Sequence, residues 1–220
     1  MARKKNITKD NLISWYMEFV LENNHNPKSV FSFAKENNFE ESDFYKFYGT
    51  FEGIEQSIFS EFFNNTIKVL AKSEEYPNYD ARNKLLSFYF TFFEILTANR
   101  SYVVYALKGN EDVTKLRSLK LLKDLKQDFK TFSNNIGIEK IDLQQEQLGK
   151  IQDKTMQESS WIQLILTMKF WLDDTSPSFD KTDIFIEKSI NSRFDLLDIK
   201  PLKSLLDFGK FILKEKINFN

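Results

Sequence analysis

The sequence predicts an all-α protein of about nine or ten helices, headed by three short helices in a helix-turn-helix arrangement. Three observations predict it. Apolar residues recur at helical spacing along most of the chain, as in Leu12, Ile13, Tyr16, Phe19 and Val20. No segment has the alternation or composition of a convincing strand. The stretch Ser29 to Ile54, SVFSFAKENNFEESDFYKFYGTFEGI, reads as two short helices, a tight turn at Asn37-Asn38 and the entry into a longer helix.

The elements follow in order. Met1 to Asn6 is a basic arm. Thr8 is placed to cap the first helix, which ends between Asn23 and Pro27. Ser29 caps the second, with Val30, Phe33 and the small Ala34 facing inward. A third, Glu41 to Phe47, turns Phe44 and Tyr45 inward, joined by Phe39 from the turn. Thr50 caps a long helix carrying Ile54, Ile58, Phe59, Phe62, Phe63, Ile67 and Leu70. Ser73 to Asp80, with Pro77, is the first clear break, so residues 1–72 and 78–220 are expected to be separate domains.

Leu85 to Leu96 is apolar nearly all round, which predicts a helix buried on several sides. Ala98 to Lys108 continues it until Gly109-Asn110. Val113 to Phe132 is amphipathic, with leucines inward and a lysine series outward. Gln144 to Met156 is polar, and Trp161 to Leu172 is strongly apolar. After the turn Asp173 to Phe179, Thr182 is expected to cap a helix reaching Leu197. Pro201 opens a last helix.

Composition excludes several function classes. The 220 residues carry a formal net charge of −1, so the chain is no polycation. Without cysteine there are no disulfides, thiol nucleophiles or thiolate metal sites, which fits a reducing cytoplasm. The single histidine, His25, lies in an Asn-rich loop and reads as solvated. No run approaches the roughly 18 apolar residues of a membrane span, and no signal core follows the basic arm. There is no Gly-rich phosphate loop and no metal-spaced cluster, so neither an enzyme nor a cofactor is expected.

The front of the chain resembles the TetR family of bacterial transcriptional regulators. That family's pattern has a capping Ser or Thr, then Ile-Ala, a Gly-Val-Ser turn, Leu-Tyr-x-x-Phe and Ser-Lys-Glu-x-Leu. Ser29 stands at the cap, Phe33-Ala34 at Ile-Ala, and Asn38-Phe39-Glu40 at the turn. Phe44 to Tyr48 and Thr50 to Ile54 fill the remaining positions without a gap. Phe170 to Asp198 is similar to the C-terminal region of TetR-like proteins of the Bacteroidetes group.

The resemblance implies a homodimer that binds operator DNA through the front domain. It also implies a C-terminal helical bundle that holds a small apolar ligand and dimerises. The implied DNA contacts are the arm (Arg3, Lys4, Lys5), Ser29, Glu40, Glu41, Ser42 and Asp43, with Tyr45, Lys46, Tyr48 and Thr50. The implied dimer contacts, in an antiparallel four-helix bundle, are Trp171, Ile186, Ser189, Ile190, Arg193 and Phe194.

Three departures bear on the chemistry. The presumed reading helix opens on Glu40, Glu41 and Asp43. The family's phosphate-contacting lysine is Phe51 here. Residues 1–55 hold seven Lys or Arg (3, 4, 5, 9, 28, 35, 46) against nine Asp or Glu (10, 18, 22, 36, 40, 41, 43, 52, 55), net −2. Phosphate neutralisation supplies much of protein–DNA affinity, so this head starts at a disadvantage. The alternative is a TetR-fold protein that has lost DNA binding and carries a lipid or other apolar ligand, or serves as an interaction module.

Phe88, Tyr89, Phe92, Phe93, Tyr102, Tyr105 and Trp161 have two readings: an apolar ligand pocket or ordinary core. Asp173-Asp174 fits a turn better than a catalytic pair, because neighbouring carboxylates at a helix end do not oppose each other.

Overall fold

In the computed structural model, residues 7–108, 116–137 and 146–198 are described, and they form ten α-helices and no strand. These are α1 (Lys9–Asn23), α2 (Val30–Glu36), α3 (Glu41–Phe44), α4 (Phe51–Leu70), α5 (Ala81–Ala98) and α6 (Arg100–Lys108). They continue with α7 (Leu116–Leu121), α8 (Lys123–Asn135), α9 (Glu146–Asp173) and α10 (Asp180–Asp198). Short 3-10 turns at Tyr76–Asn78 and Pro177–Phe179 fill two of the Pro-containing breaks. The helix expected after Pro201 lies outside the described residues.

The chain groups into two compact units, residues 1–69 with 91–129, and residues 70–90 with 130–220. The first unit is built on aromatic contacts. Phe33 of α2 is fully buried. Its ring meets Phe19, Phe39, Phe44 and Phe51 edge-on, with centroids 5.6 to 6.5 Å apart. Leu12, Tyr16 and Val20 of α1 complete that core, and α1 also packs on α6. The second unit buries Trp161, Leu164, Met168, Trp171 and Leu172 of α9 together with Ile186 and Ile190 of α10.

The helix starts expected at Thr8, Ser29 and Thr50 hold. Thr8 Oγ1 accepts from the Asn11 amide at 3.2 Å. Ser29 and Ser32 cap α2 reciprocally, each side chain accepting the other's amide. Thr50 Oγ1 accepts from the Gly53 amide at 3.3 Å. Asn38 has φ +60°, the left-handed conformation that the turn requires, and asparagine tolerates it better than most residues.

Four expectations change. The third helix stops at Phe44, because the amides of Phe47 and Tyr48 both donate to the Phe44 carbonyl and tighten the chain into a turn. Tyr45 consequently points outward. The helix expected from Val113 to Phe132 is interrupted by a turn at Leu122. Leu121 and Leu122 would point about 100° apart on a straight helix, and here both are buried. The polar and apolar stretches expected as two elements form one helix, α9. No proline interrupts them, and the border residue Ser160 accepts from Ser133 and Arg193.

Thr182 is the fourth. The helix α10 begins two residues earlier, and Thr182 is capped rather than capping. Asp174 Oδ2 accepts from the Thr182 amide (2.9 Å) and hydroxyl (2.7 Å), and Oδ1 accepts from the Ser176 amide (2.8 Å) and hydroxyl (2.6 Å). Although burial acts to raise its pKa, these bonds hold the carboxyl down to about 2. Asp174 is thus the cap that turns α9 into α10.

A depressed pKa stabilises the fold fully above the unfolded value of 3.8, and that contribution is lost as pH falls through about 2. Asp174→Asn removes the charge while keeping the shape. It is expected to cost about 2 kcal/mol at pH 7, and the difference from wild type should shrink below pH 3.8. Denaturant melts at pH 7 and pH 2.5 measure both; an unchanged difference between the two would refute the capping role.

Candidate functional site

The segment expected as a helix-turn-helix consists of α2, the Asn37–Glu40 turn and α3. Ser29, Glu40, Ser42, Tyr45, Lys46 and Thr50 are all exposed, whereas Glu41 and Asp43 are half-buried. Tyr45 Oη donates to Glu41 Oε1 at 3.2 Å, and Lys46 Nζ pairs with Asp43 Oδ1 at 2.6 Å. The cation of this short helix is therefore tied to one of its own acids. Ser29 and Thr50 already serve as caps, though each keeps an exposed edge.

Tyr48 is placed elsewhere. It is 7 % exposed, and its hydroxyl shares a 2.8 Å hydrogen bond with Ser57 of α4, which leaves it no surface for a nucleic-acid contact. Arg3, Lys4 and Lys5 lie outside the described residues. Phe51, at the family's lysine position, packs on Tyr16, Phe33 and Phe44. Sequence reasoning missed the exposure of Phe31 and Phe47, which are 63 % and 43 % exposed. Their signal was an aromatic at a position out of step with the buried Phe33 and Phe44.

Hydrogen bonds join this head to α6 within the same unit. Tyr16 Oη donates to Glu55 Oε1 at 2.5 Å, and Asn26 Nδ2 donates to the same oxygen at 3.0 Å. Tyr105 Oη of α6 donates to Asn26 Oδ1 at 3.0 Å. Burial, and then the Glu55 hydrogen bond, push the Tyr16 phenol far above its ordinary pKa, so it remains a donor. The α1–α2 loop, α4 and α6 are thus held by one chain of polar contacts.

The expected pocket residues fall in both units. Phe92, Phe93, Tyr102 and Tyr105 belong to the first, and Phe88, Tyr89 and Trp161 to the second. All but the half-buried Tyr105 are buried. The Tyr102 hydroxyl has no hydrogen-bond partner among the described residues, and burial raises its pKa. Such a hydroxyl is a polar tip in an apolar setting.

The expected dimer residues divide by burial. Trp171, Ile186 and Ile190 are fully buried between α9 and α10 of one chain, so they have no face to offer a partner. Ser189, Arg193 and Phe194 are half-buried. Among the described residues, the exposed large apolar side chains of these helices are Ile162, Leu166 and Phe170 on α9, and Ile184 and Leu196 on α10. The i, i+4, i+8 spacing of the first three makes a stripe on the side away from the core. Phe170 stacks on Phe185 with centroids 4.5 Å apart. Two shallow grooves of about 440 and 530 Å³ run along this surface, lined by Leu166, Phe170, Ile184, Phe185 and several lysines. The stripe was readable in the sequence, because Trp161–Leu172 has more apolar residues than one helix face can bury.

Among the described residues no group of acids and histidine could hold a metal ion, and no helix is long and apolar enough to cross a membrane.

Short capped helices at the head, followed by two long packed helices and no strand among the described residues, define an all-α protein. Residues 84–212, more than half the chain, match the tetracyclin repressor-like, C-terminal domain family, and the chain belongs to that family. No curated protein matches the chain.

Proposed function

We propose that the protein is a ligand-responsive transcriptional regulator that binds operator DNA as a homodimer in the cytoplasm. Residues 1–72 are the DNA-binding domain, and residues 78–220 bind a small apolar ligand and dimerise. The observation that carries this reading is the α2–turn–α3 geometry, with Ser42, Tyr45 and Lys46 exposed, in a chain whose remainder is tetracyclin repressor-like. Two reading heads must sit about 34–36 Å apart to meet successive major grooves. A ligand that prefers one head spacing over another shifts operator affinity. The Tyr16–Glu55–Asn26–Tyr105 contacts supply a physical link between α6 and the head.

Fluorescence anisotropy against DNA from the region upstream of its own gene, at low and moderate salt, tests the reading. Absence of binding above the nonspecific level at low salt overturns it. Asp43→Asn gives a sharper test, because it frees Lys46 from its ion pair. The variant should bind DNA several-fold more tightly, with a log–log salt slope steeper by about 1.

One observation favours a second reading. Asp43 holds the exposed Lys46, Tyr48 is buried, and Phe51, at the position where the family carries a phosphate-contacting lysine, packs in the core. A TetR-fold carrier of a lipid or other apolar ligand needs no phosphate-binding head. Native mass spectrometry of gently purified protein distinguishes the two: retained lipid with no operator binding supports the carrier.

A further inference from the structure

The second unit contains a guanidinium with no counter-ion among the described residues. Arg193 of α10 is half-buried. Its Nη1 donates to Gln163 Oε1 at 3.1 Å and its Nη2 to Ser160 Oγ at 2.8 Å, both on α9. Ser160 is fully buried and also accepts from Ser133 Oγ of α8 at 2.9 Å. Gln163 in turn donates to Ser189 Oγ at 3.4 Å. Every one of these partners is neutral. Among the described residues no carboxylate pairs with Arg193, whereas the neighbouring Arg82 has Asp195 at 2.8 Å.

The titratable group whose charge state reaches Arg193 is Tyr89 of α5, and burial raises that phenol so that it stays neutral. Burial in turn lowers the pKa of Arg193, yet a guanidinium remains charged at any ordinary pH. A partly desolvated cation is stable only when something offsets the lost hydration, and neutral hydrogen bonds do so incompletely. The group has five N–H donors, and two hydrogen bonds do not exhaust them. A planar fork of this kind suits an oxyanion bound through two oxygens.

We propose that Arg193 anchors a site for a small organic or inorganic oxyanion, a carboxylate or phosphate group, with the Ser133–Ser160 hydroxyls beside it. The aromatic pair Phe88 and Phe132, with centroids 4.6 Å apart, adjoins Tyr89 and Ser133 in the chain. This deepens the ligand-binding part of the proposed function by naming the ligand's charged group. The ligand is then amphipathic, not purely apolar.

Thermal unfolding of the full chain at matched ionic strength tests the site, with octanoate, benzoate, inorganic phosphate, octanol and chloride as probes. At least one oxyanion should raise the Tm by about 5 °C near saturation, while octanol and chloride should not. The carboxylate and phosphate arms tell which oxyanion is preferred. Gln163→Glu places a carboxylate of the same shape beside Nη1. It should raise the Tm of the ligand-free protein and abolish the oxyanion response. Arg193→Lys keeps the charge but loses the fork, and should weaken the response at least about 10-fold.

A response to octanol equal to that to octanoate overturns the assignment. So does the absence of any oxyanion response beyond chloride, or a lower Tm for ligand-free Gln163→Glu. None of these readouts involves DNA, so the site and operator binding can fail separately.

Discussion

Replacing Phe33 with alanine should destabilise the head of the protein by about 3–5 kcal/mol. The ring is fully buried and meets four other aromatic rings from α1, the α2–α3 turn, α3 and α4. Removing it takes away burial and leaves a cavity bounded by rigid rings that cannot collapse into it. A whole domain is stabilised by only about 5–15 kcal/mol, so the loss removes a large share of the margin. Helix α3 suffers most. With four residues it has almost no stability of its own, and it exists because Phe44 is held against Phe33 and Phe51. Denaturant melts followed by far-UV circular dichroism measure the loss, and a value below about 1 kcal/mol would show that these ring contacts are not the core of the head. Phe33→Leu keeps most of the volume and should recover more than half of the loss.

A charge on the exposed face of α9 and α10 should turn the proposed dimer into monomers. Leu166 and Ile184 are about half exposed, and each belongs to the apolar surface that also carries Ile162, Phe170 and Phe185. A contiguous apolar surface of this kind is a common mark of an interface. Two-fold packing would bring each patch against its copy, so one substitution acts twice. The double variant Leu166→Glu, Ile184→Glu is expected to sediment as a monomer at concentrations where wild type is dimeric. Operator affinity should then fall by about 100-fold or more, since the two heads no longer share one binding event. Both side chains are exposed, so far-UV circular dichroism should be unchanged. A variant that remains dimeric, or a wild type that is monomeric, places the interface elsewhere or removes it.

The two sets of residues differ in how far sequence could read them. The spacing of Phe33, Phe44 and Ile54 identified the helix-turn-helix because a short local motif must meet its own neighbours. The caps at Thr8, Ser29 and Thr50 were legible for the same reason, since each bonds an amide three residues on. At the dimer positions, the sequence reported only that Trp161 to Leu172 is strongly apolar. It did not report which side the same chain covers. Trp171, Ile186 and Ile190 and the exposed Ile162, Leu166 and Phe170 are chemically alike, and their roles separate only when α9 and α10 pack.

Asp174 and Arg193 make the same point for polar residues. Asp173 and Asp174 are indistinguishable in sequence, yet one is exposed and the other accepts four hydrogen bonds. Arg193 was expected at the dimer interface only because the family resemblance implied it. Its setting depends on Gln163 and Ser160, about 30 positions earlier in the chain.

The sequence by itself determined the helical class, the start of the helix-turn-helix and the family pattern, because these depend on period, caps and turns that act within a few residues. Tertiary structure alone decided that Phe51 is a core residue, that Tyr48 faces Ser57, that Asp43 holds Lys46, and that Arg193 meets neutral partners. The reason is physical. A side chain's propensity is local, but whether it is buried, paired or left to solvent is settled by the neighbours that packing brings to it.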